Sequence, residues 1–378
     1  MAIRFIHTAD WQLGKPFGNF DKGLSEVLRK ARLDMILRLA ETAKANNVSH
    51  IIVAGDVWDQ ELPNKQTIKQ PLDIMGAADQ ITWWLLPGNH DPARENGLWS
   101  QIKTIGVPSN IRLLLTPEPV QMSQSAYLLP SPWISKNPGV DNTRWMNEAV
   151  VPEDSIKIGI AHGSFKEFKG DAAQHCVISA FERVKDAELD YLALGDWHGK
   201  IELDKRIYYS GTPEIDRFPT NNPGWALIVE IAAKGAVPNV IPIKTTSHMW
   251  MQKSFDVLPG SDPADLMASV SDENTPLHRT LAQVRFSGKL PISEYIAIKE
   301  HVRSLAPSYA YFTSDFAGME PLLSVDDLDD LDLAGSLRQT AEALIAIKDD
   351  ADLSSLDRLD AGRALDLLLS YSREASAS

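Results

Sequence analysis

The first 245 residues repeat one arrangement of apolar and polar positions. Short β-rich apolar runs at 3–6, 51–53, 81–86, 156–160 and 191–194 each stop abruptly in small and polar residues. The stops read HTAD (to Asp10), AGD (to Asp56), PGNHD (to Asp91), AHG (through His162) and GDWH (to His198). Between the first two runs, residues 24–46 place Leu28, Ala31, Met35 and Leu39 on one helical face. Strands alternating with helices, with reactive side chains at the strand ends, predict an α/β sheet whose site lies along one edge. From about residue 250 the pattern changes. Strands at 254–258, 280–286 and 309–314, with helices at 263–271 and 292–305 between them, predict a small α/β module. Helices follow at 335–348 and 355–373, where Leu365, Leu368 and Leu369 have the i, i+3, i+4 spacing of a buried stripe. That pair either docks on another protein or packs on its own body. The expected divisions are a domain at 1–245, a module at 250–320, an acidic linker at 321–334 and a helical segment at 335–378.

Composition narrows the class. The chain has 378 residues, 44% hydrophobic and 23% charged, which excludes intrinsic disorder and leaves room for a large core. Its net charge of −14 argues against a protein that coats nucleic acid or anionic membrane on its own. The acidity is uneven, however. Residues 321–378 hold 13 acidic and 5 basic residues, and the run Asp326, Asp327, Asp329, Asp330 and Asp332 reads as a solvated linker. The single cysteine, Cys176, cannot form an internal bridge. No apolar run approaches the roughly 18 residues of a membrane span. A cytoplasmic protein is the expectation.

The strand ends supply, in order, Asp10 and Gln12, Asp56, Asn89 and His90, His162, then Asp196 and His198. These are oxygen and imidazole donors without thiolate, a set suited to Mn²⁺, Mg²⁺ or iron rather than structural zinc. Two cations about 3.5–4 Å apart need a bridging carboxylate and flanking ligands, and this set is sufficient. A lone strand-end Asp is usually a cap, and a lone His is usually structural. The joint order of D-x-Q, GD, GNHD, AHG and GDWH is what carries the signal.

That order resembles the calcineurin-like metallophosphoesterases. The stretches "HTADWQLGKPF", "VAGDVWD", "PGNHD" and "LGDWHG…YYSGTPEIDRF" are most similar to the SbcD-type DNA repair exonucleases. The resemblance covers roughly 1–245, and more weakly 250–320 as a capping domain. It implies a β-sandwich flanked by helices (α/β/β/α), a small α/β capping domain and a C-terminal helical segment. It also implies two metal sites, with Asp10, Gln12, Asp56 and His198 around one ion and Asp56, Asn89, His162 and Asp196 around the other. Asp56 would bridge them. His90 would stand beside the scissile phosphate and assist the leaving group, with Asp91 orienting its imidazole. The chain departs from the superfamily pattern at Gln12 and Asp196, where histidines are usual. Both changes replace nitrogen with hard oxygen, which favours Mn²⁺, or Mg²⁺, over zinc.

Trp11, Trp58 and Trp197 neighbour the expected ligands and either stack on an unpaired base or pack beneath the loops. Arg94, Lys166, Lys169, Lys200 and Arg217 follow the motif loops and either contact phosphates or stay solvated. Trp83 and Trp84 are expected in the core, and His7, His50, His175, His248, His278 and His301 match no motif. The resemblance implies a metal-dependent nuclease that digests and nicks DNA, is homodimeric, and works with an SbcC-like coiled-coil ATPase docked on the helical pair. Its rivals are a phosphoesterase acting on a small phosphodiester or phosphoprotein, and a non-catalytic adaptor for DNA ends or the ATPase.

Overall fold

A computed structural model describes residues 2–134, 141–165, 177–218, 221–271, 274–322 and 335–376. Cys176, His175, Lys166, Lys169 and the aspartates of the acidic run lie outside the described residues, as does the side chain of Leu369. The chain divides into two compact units, Met1–Trp250 and Met251–Ser378.

The first unit contains two six-stranded sheets. One is built from β1 (Ile3–Thr8), β2 (His50–Val53), β3 (Thr82–Leu85), β4 (Ile111–Leu113), β13 (Trp225–Ile231) and β14 (Asn239–Lys244). Its order is β14-β13-β1-β2-β3-β4, and β1 to β4 run parallel. The other contains β5 (Val120–Ser123), β6 (Ala126–Ser131), β7 (Ile156–His162), β10 (Tyr191–Gly195), β11 (Ile201–Asp204) and β12 (Ile207–Tyr209), ordered β11-β12-β10-β7-β6-β5. The short pair β8 (Ser164–Phe165) and β9 (Val177–Ile178) lies outside both sheets.

Period-two alternation turns these strands into layers. Phe5, Ile52, Trp84, Ile158 and Ala193 point into a core shared by the two sheets. Their neighbours Ile6, Ile51, Val53, Trp83 and Leu85 face the opposite way, onto α1 (Lys22–Ala45), α2 (Lys65–Ala77) and α3 (Leu98–Ile105). Leu192, Leu194 and Ala161 of the second sheet pack outward with Ala180 of α4 (Ala180–Asp186). The result is the helix–sheet–sheet–helix layering that the resemblance implies, with two sheets where the strand pattern alone predicts one. Because β1, β2 and β3 are parallel, as are β7 and β10, each set delivers its carboxyl ends to a single edge.

The second unit is a three-stranded sheet of β15 (Met249–Val257), β16 (Thr280–Pro291) and β17 (Tyr311–Leu322). The short α5 (Pro263–Ala268) lies between β15 and β16 in the chain. Here β16 and β17 are parallel, joined through α6 (Ile292–Leu305). The helices Ser336–Asp349 and Ser355–Ser376 place Ala341 and Leu365 in the same core as Val284, Phe286 and Ile298. Leu368 packs against that core, while Leu356, Leu359 and Leu367 remain exposed.

Candidate metal centre and its cleft

Beyond β1 and β2 the chain continues as two loops that remain zipped together. Asp10 N–H donates to Gly55 O at 3.0 Å, Gln12 N–H to Asp56 O at 2.9 Å, and Leu13 N–H to Val57 O at 2.9 Å. This pairing forces Asp10, Gln12 and Asp56 to φ of 54°, 44° and 52°, and Asp196, after β10, reaches φ 102°. Non-glycine residues rarely occupy that region, which costs on the order of 1–3 kcal/mol each and concentrates at functional sites. Two glycines permit the close approach. A Cβ on Gly55 would strike the His162 ring, and one on Gly88 would strike the Asp56 carboxylate.

Asp10, Asp56 and His162 are buried, with ligand atoms within 4.8 Å of one another. His162 Nδ1 lies 2.9 Å from Ala54 O. A carbonyl can only accept, so Nδ1–H donates and Nε2 faces the site. That nitrogen stands 3.4 Å from Asp56 Oδ1 and 3.9 Å from Asp196 Oδ1. The Asn89 amide end lies 2.9 Å from His162 Nε2 and 3.1 Å from both Asp56 oxygens. Turned one way, the Asn89 NH₂ satisfies these acceptors. Turned the other way, its oxygen accepts from a protonated His162 Nε2 or joins the donors around a cation.

Asp196 accepts from Ser164 Oγ at 2.7 Å, and its N–H meets Asp10 Oδ1 at 3.2 Å. Among the described residues, no Lys or Arg nitrogen comes within salt-bridge distance of Asp10, Asp56 or Asp196. Burial pushes the Asp10 carboxyl up to about 6, and the neighbouring charges of Asp56 and Asp196 add to the push. Burial works against the charged form of His162, but Asp56, Asp10 and Asp196 outweigh it and raise the imidazole to about 9. A buried, under-compensated negative cluster of hard donors fits a divalent cation.

The cluster opens into a cleft of about 380 Å³ whose lining includes Gln12, Lys15, Asn89, His90, Trp197 and Arg217. At this end His198 Nδ1 stands 3.2 Å from Asp216 Oδ1, and His198 Nε2 stands 3.2 Å from Gln12 Nε2. Lys15 Nζ donates to Gln12 Oε1 at 3.1 Å and to Asp216 Oδ2 at 2.6 Å. Burial alone would raise the Asp216 carboxyl, but His198, Arg32 and Lys15 hold it well below the usual range. The Arg217 guanidinium reaches the His198 ring, 3.1 Å from Nδ1.

Several expected roles change here. Asp91 does not orient His90. It is fully buried and its two oxygens accept from Gly88 N–H at 2.7 Å and Trp58 N–H at 3.0 Å, so it ties the loop after β3 to the loop after β2. The His90 ring is 43% exposed and rests by Nδ1 on Asp59 O at 3.0 Å, while His90 N–H donates to Asp56 Oδ1 at 2.9 Å. Trp11 cannot stack on a base. It is fully buried, donates to Thr8 Oγ1 at 3.0 Å and meets Trp83 edge-on. Trp58 is buried in the same way. Arg94 pairs with Glu61 at 2.9 Å, and the Lys200 ammonium lies over the Trp225 ring at 4.9 Å. Gln12 turns its carbonyl toward Lys15 rather than toward His198.

Sequence reading missed Asp216, Lys15 and Arg32. Arg32 is buried and donates to the carbonyls of Trp11 and, at 2.7 Å, Glu214, bracing the first loop against the last. Asp216 and Lys15 both lie inside the stretches that carried the resemblance, yet neither abuts a strand end, so nothing local marked them.

Comparison with known proteins identifies the family. The model of the calcineurin-like phosphoesterases matches residues 3–230. The chain is 22% identical over 267 residues to the SbcD subunit of the nuclease SbcCD from Staphylococcus saprophyticus subsp. saprophyticus, covering 64% of this chain and 69% of that one. Among solved structures, TT1561 of Thermus thermophilus aligns over 65% of this chain and all of its own, with TM-score 0.43 and 10% identity. GAP50 of Plasmodium aligns over 65% of this chain and 85% of its own, with TM-score 0.38 and 13% identity. The matched segment contains β1 through β12, all but the last residue of β13 and every strand end that feeds the cleft, so the chain belongs to the calcineurin-like phosphoesterases.

Proposed function

We propose that this chain is a divalent-metal-dependent phosphodiesterase acting on DNA, an exonuclease that also nicks. The observation that carries the reading is the convergence of buried Asp10, Asp56 and His162 beneath an open cleft with an exposed His90 at its rim. The SbcD-type likeness supports DNA as the substrate. The expected sets are kept, Asp56, Asn89, His162 and Asp196 for one ion and Asp10, Gln12, Asp56 and His198 for the other, with Asp10 close enough to Asp56 and His162 to share in the first. The oxygen-rich donor set favours Mn²⁺, with Mg²⁺ the alternative. When bound, such ions acidify a water and neutralise charge on the phosphoryl oxygens.

The rest is the work of side chains. His90 Nδ1 stands within hydrogen-bond reach of the Asp59 carbonyl, so the ring is held with Nε2 toward the cleft, 3.9 Å from Asp56 Oδ2. In the imidazolium form, with both ring nitrogens protonated, Nε2 would give its proton to the departing oxygen and leave the neutral ring. Asp91 keeps the loop that carries His90 in register with the loop that carries Asp56. Arg217 and Trp197, both lining the cleft, are the proposed contacts for backbone phosphate and an unpaired base. Arg94 and Lys200 remain candidates for more distant phosphate contacts.

The relative's name marks it as one subunit of a complex. By the same likeness we propose a homodimer that works with an SbcC-like coiled-coil ATPase. The exposed Leu356, Leu359 and Leu367 of the last helix suit a docking face for that partner. The second unit would act as the capping domain, and a net charge of −14 argues for a partner that grips DNA. The test is to incubate end-labelled single- and double-stranded DNA with wild type and His90→Ala in Mn²⁺, Mg²⁺ or chelator. Metal-dependent laddering that collapses in the variant is expected. Laddering that persists in the variant, or none in any metal, would remove the proposal.

A further inference from the structure

The two ends of the cleft are not equally ready for a cation, and a lysine makes the difference. Lys15 Nζ is 3.1 Å from one atom of the Gln12 amide, and His198 Nε2 is 3.2 Å from the other. An ammonium can only donate, so the atom facing Lys15 is the carbonyl oxygen and the NH₂ is fixed on the His198 side. The NH₂ facing Nε2 needs a lone pair there and Asp216 can only accept, so the His198 proton sits on Nδ1, and the Arg217 guanidinium, 3.1 Å from that nitrogen, lies against the ring without donating to it. Neither Gln12 nor His198 therefore presents a free donor atom to an ion. Lys15 is itself held in place, 23% exposed and bonded to Asp216 Oδ2 at 2.6 Å. At the other end the Asn89 NH₂ can cover His162 Nε2 and the Asp56 oxygens in the same way, but among the described residues no ammonium fixes that amide in one turn.

We infer that Lys15 decides whether the Gln12–His198 end of the cleft accepts a divalent ion. To ligate, the Gln12 amide must turn over, which breaks the Lys15 contact and sets NH₂ against ammonium unless Lys15 leaves. The inference rests on the metal-dependent reading above and makes the two ion positions unequal, one tight and one conditional on Lys15. A phosphate group entering the cleft would offer Lys15 another partner, so substrate and the second ion would arrive together.

Mn²⁺ titration of the full chain by calorimetry, with the electron paramagnetic resonance spectrum recorded alongside, tests this without reference to activity. Wild type should bind one ion tightly and a second at least about 10-fold more weakly, the scale on which groups behind the ligands alter metal affinity. Lys15→Met should tighten the second ion by about 10-fold and bring in the spin-coupled signal of a paired site at lower Mn²⁺, with the first ion unchanged. Retention of the first ion reports that the variant is folded. Gln12→Glu is the second arm, because a carboxylate offers oxygen on both sides and should admit the second ion with Lys15 in place. Two equal ions in wild type, or a second affinity unmoved in both variants, would overturn the inference while leaving the metal site standing. No ion bound to wild type at all would overturn the metal-dependent reading, and this inference with it.

Discussion

The two ends of the cleft are built by different means. The Asp10–Asp56–His162 end is made of strand termini, locked by paired loops, positive-φ backbone and glycines that leave no space for a Cβ. The Gln12–His198 end is held by side chains through Lys15 and Asp216. A site fixed by backbone keeps its geometry in any state of loading. A site fixed by one flexible lysine can be opened and closed.

The most severe way to probe that contrast is to separate chemistry from ion binding. His90→Ala should lower cleavage of end-labelled DNA by about 10²–10⁴-fold, the usual worth of a positioned acid, while Mn²⁺ binding by calorimetry stays intact. Asp56→Asn should instead remove the tight ion. Loss of ion binding in His90→Ala would place that histidine among the ligands.

Next comes Asp216→Asn, which strips the buried carboxylate from Lys15, the 1%-exposed Arg32 and His198. Leaving buried cations unpaired costs about 3–5 kcal/mol, and urea unfolding should report a loss of that size. A change under about 1 kcal/mol, the worth of an exposed pair, would mean the ion-pair network is not what holds this end.

The metal-free fixed end should also show itself through pH. His162 is raised from 6.5 to about 9, so the stability it contributes is complete below 6.5 and lost as pH climbs through 9. Asp10 is raised to about 6, so its burial already works against folding above that point. The melting temperature in chelator should therefore fall between pH 6.5 and 9, and saturating Mg²⁺ should flatten the fall. A flat profile in chelator would argue against the crowded carboxylates. Smallest of all, Arg94→Ala should change stability by no more than about 0.5 kcal/mol, since its pair with Glu61 is solvent-exposed.

The layers were legible because alternation at Ile51, Ile52 and Val53, or at Trp83, Trp84 and Leu85, assigns each side chain to one face of a sheet. The site residues were legible for a related reason. Parallel strands of one sheet must end at one edge, so the groups after β1, β2 and β3 gather in one set and those after β7 and β10 in another. The roles of Trp11 and Asp91 were not legible, because adjacency to a ligand in sequence says nothing about which way the side chain turns. Trp11 turned into the core and Asp91 turned onto backbone N–H groups. The net charge of −14 likewise describes the whole chain, and the cleft wall carries Lys15 and Arg217 within that acidity.

The sequence by itself determined which residues reach the edge of the sheets, since period, strand direction and motif order are local or nearly local properties. Only the tertiary structure decided what holds them. Lys15 and Asp216 are separated by 201 positions, and Gln12 and His198 by 186. Contacts that distant depend on how the two sheets face each other, and no pattern along the chain encodes that distance.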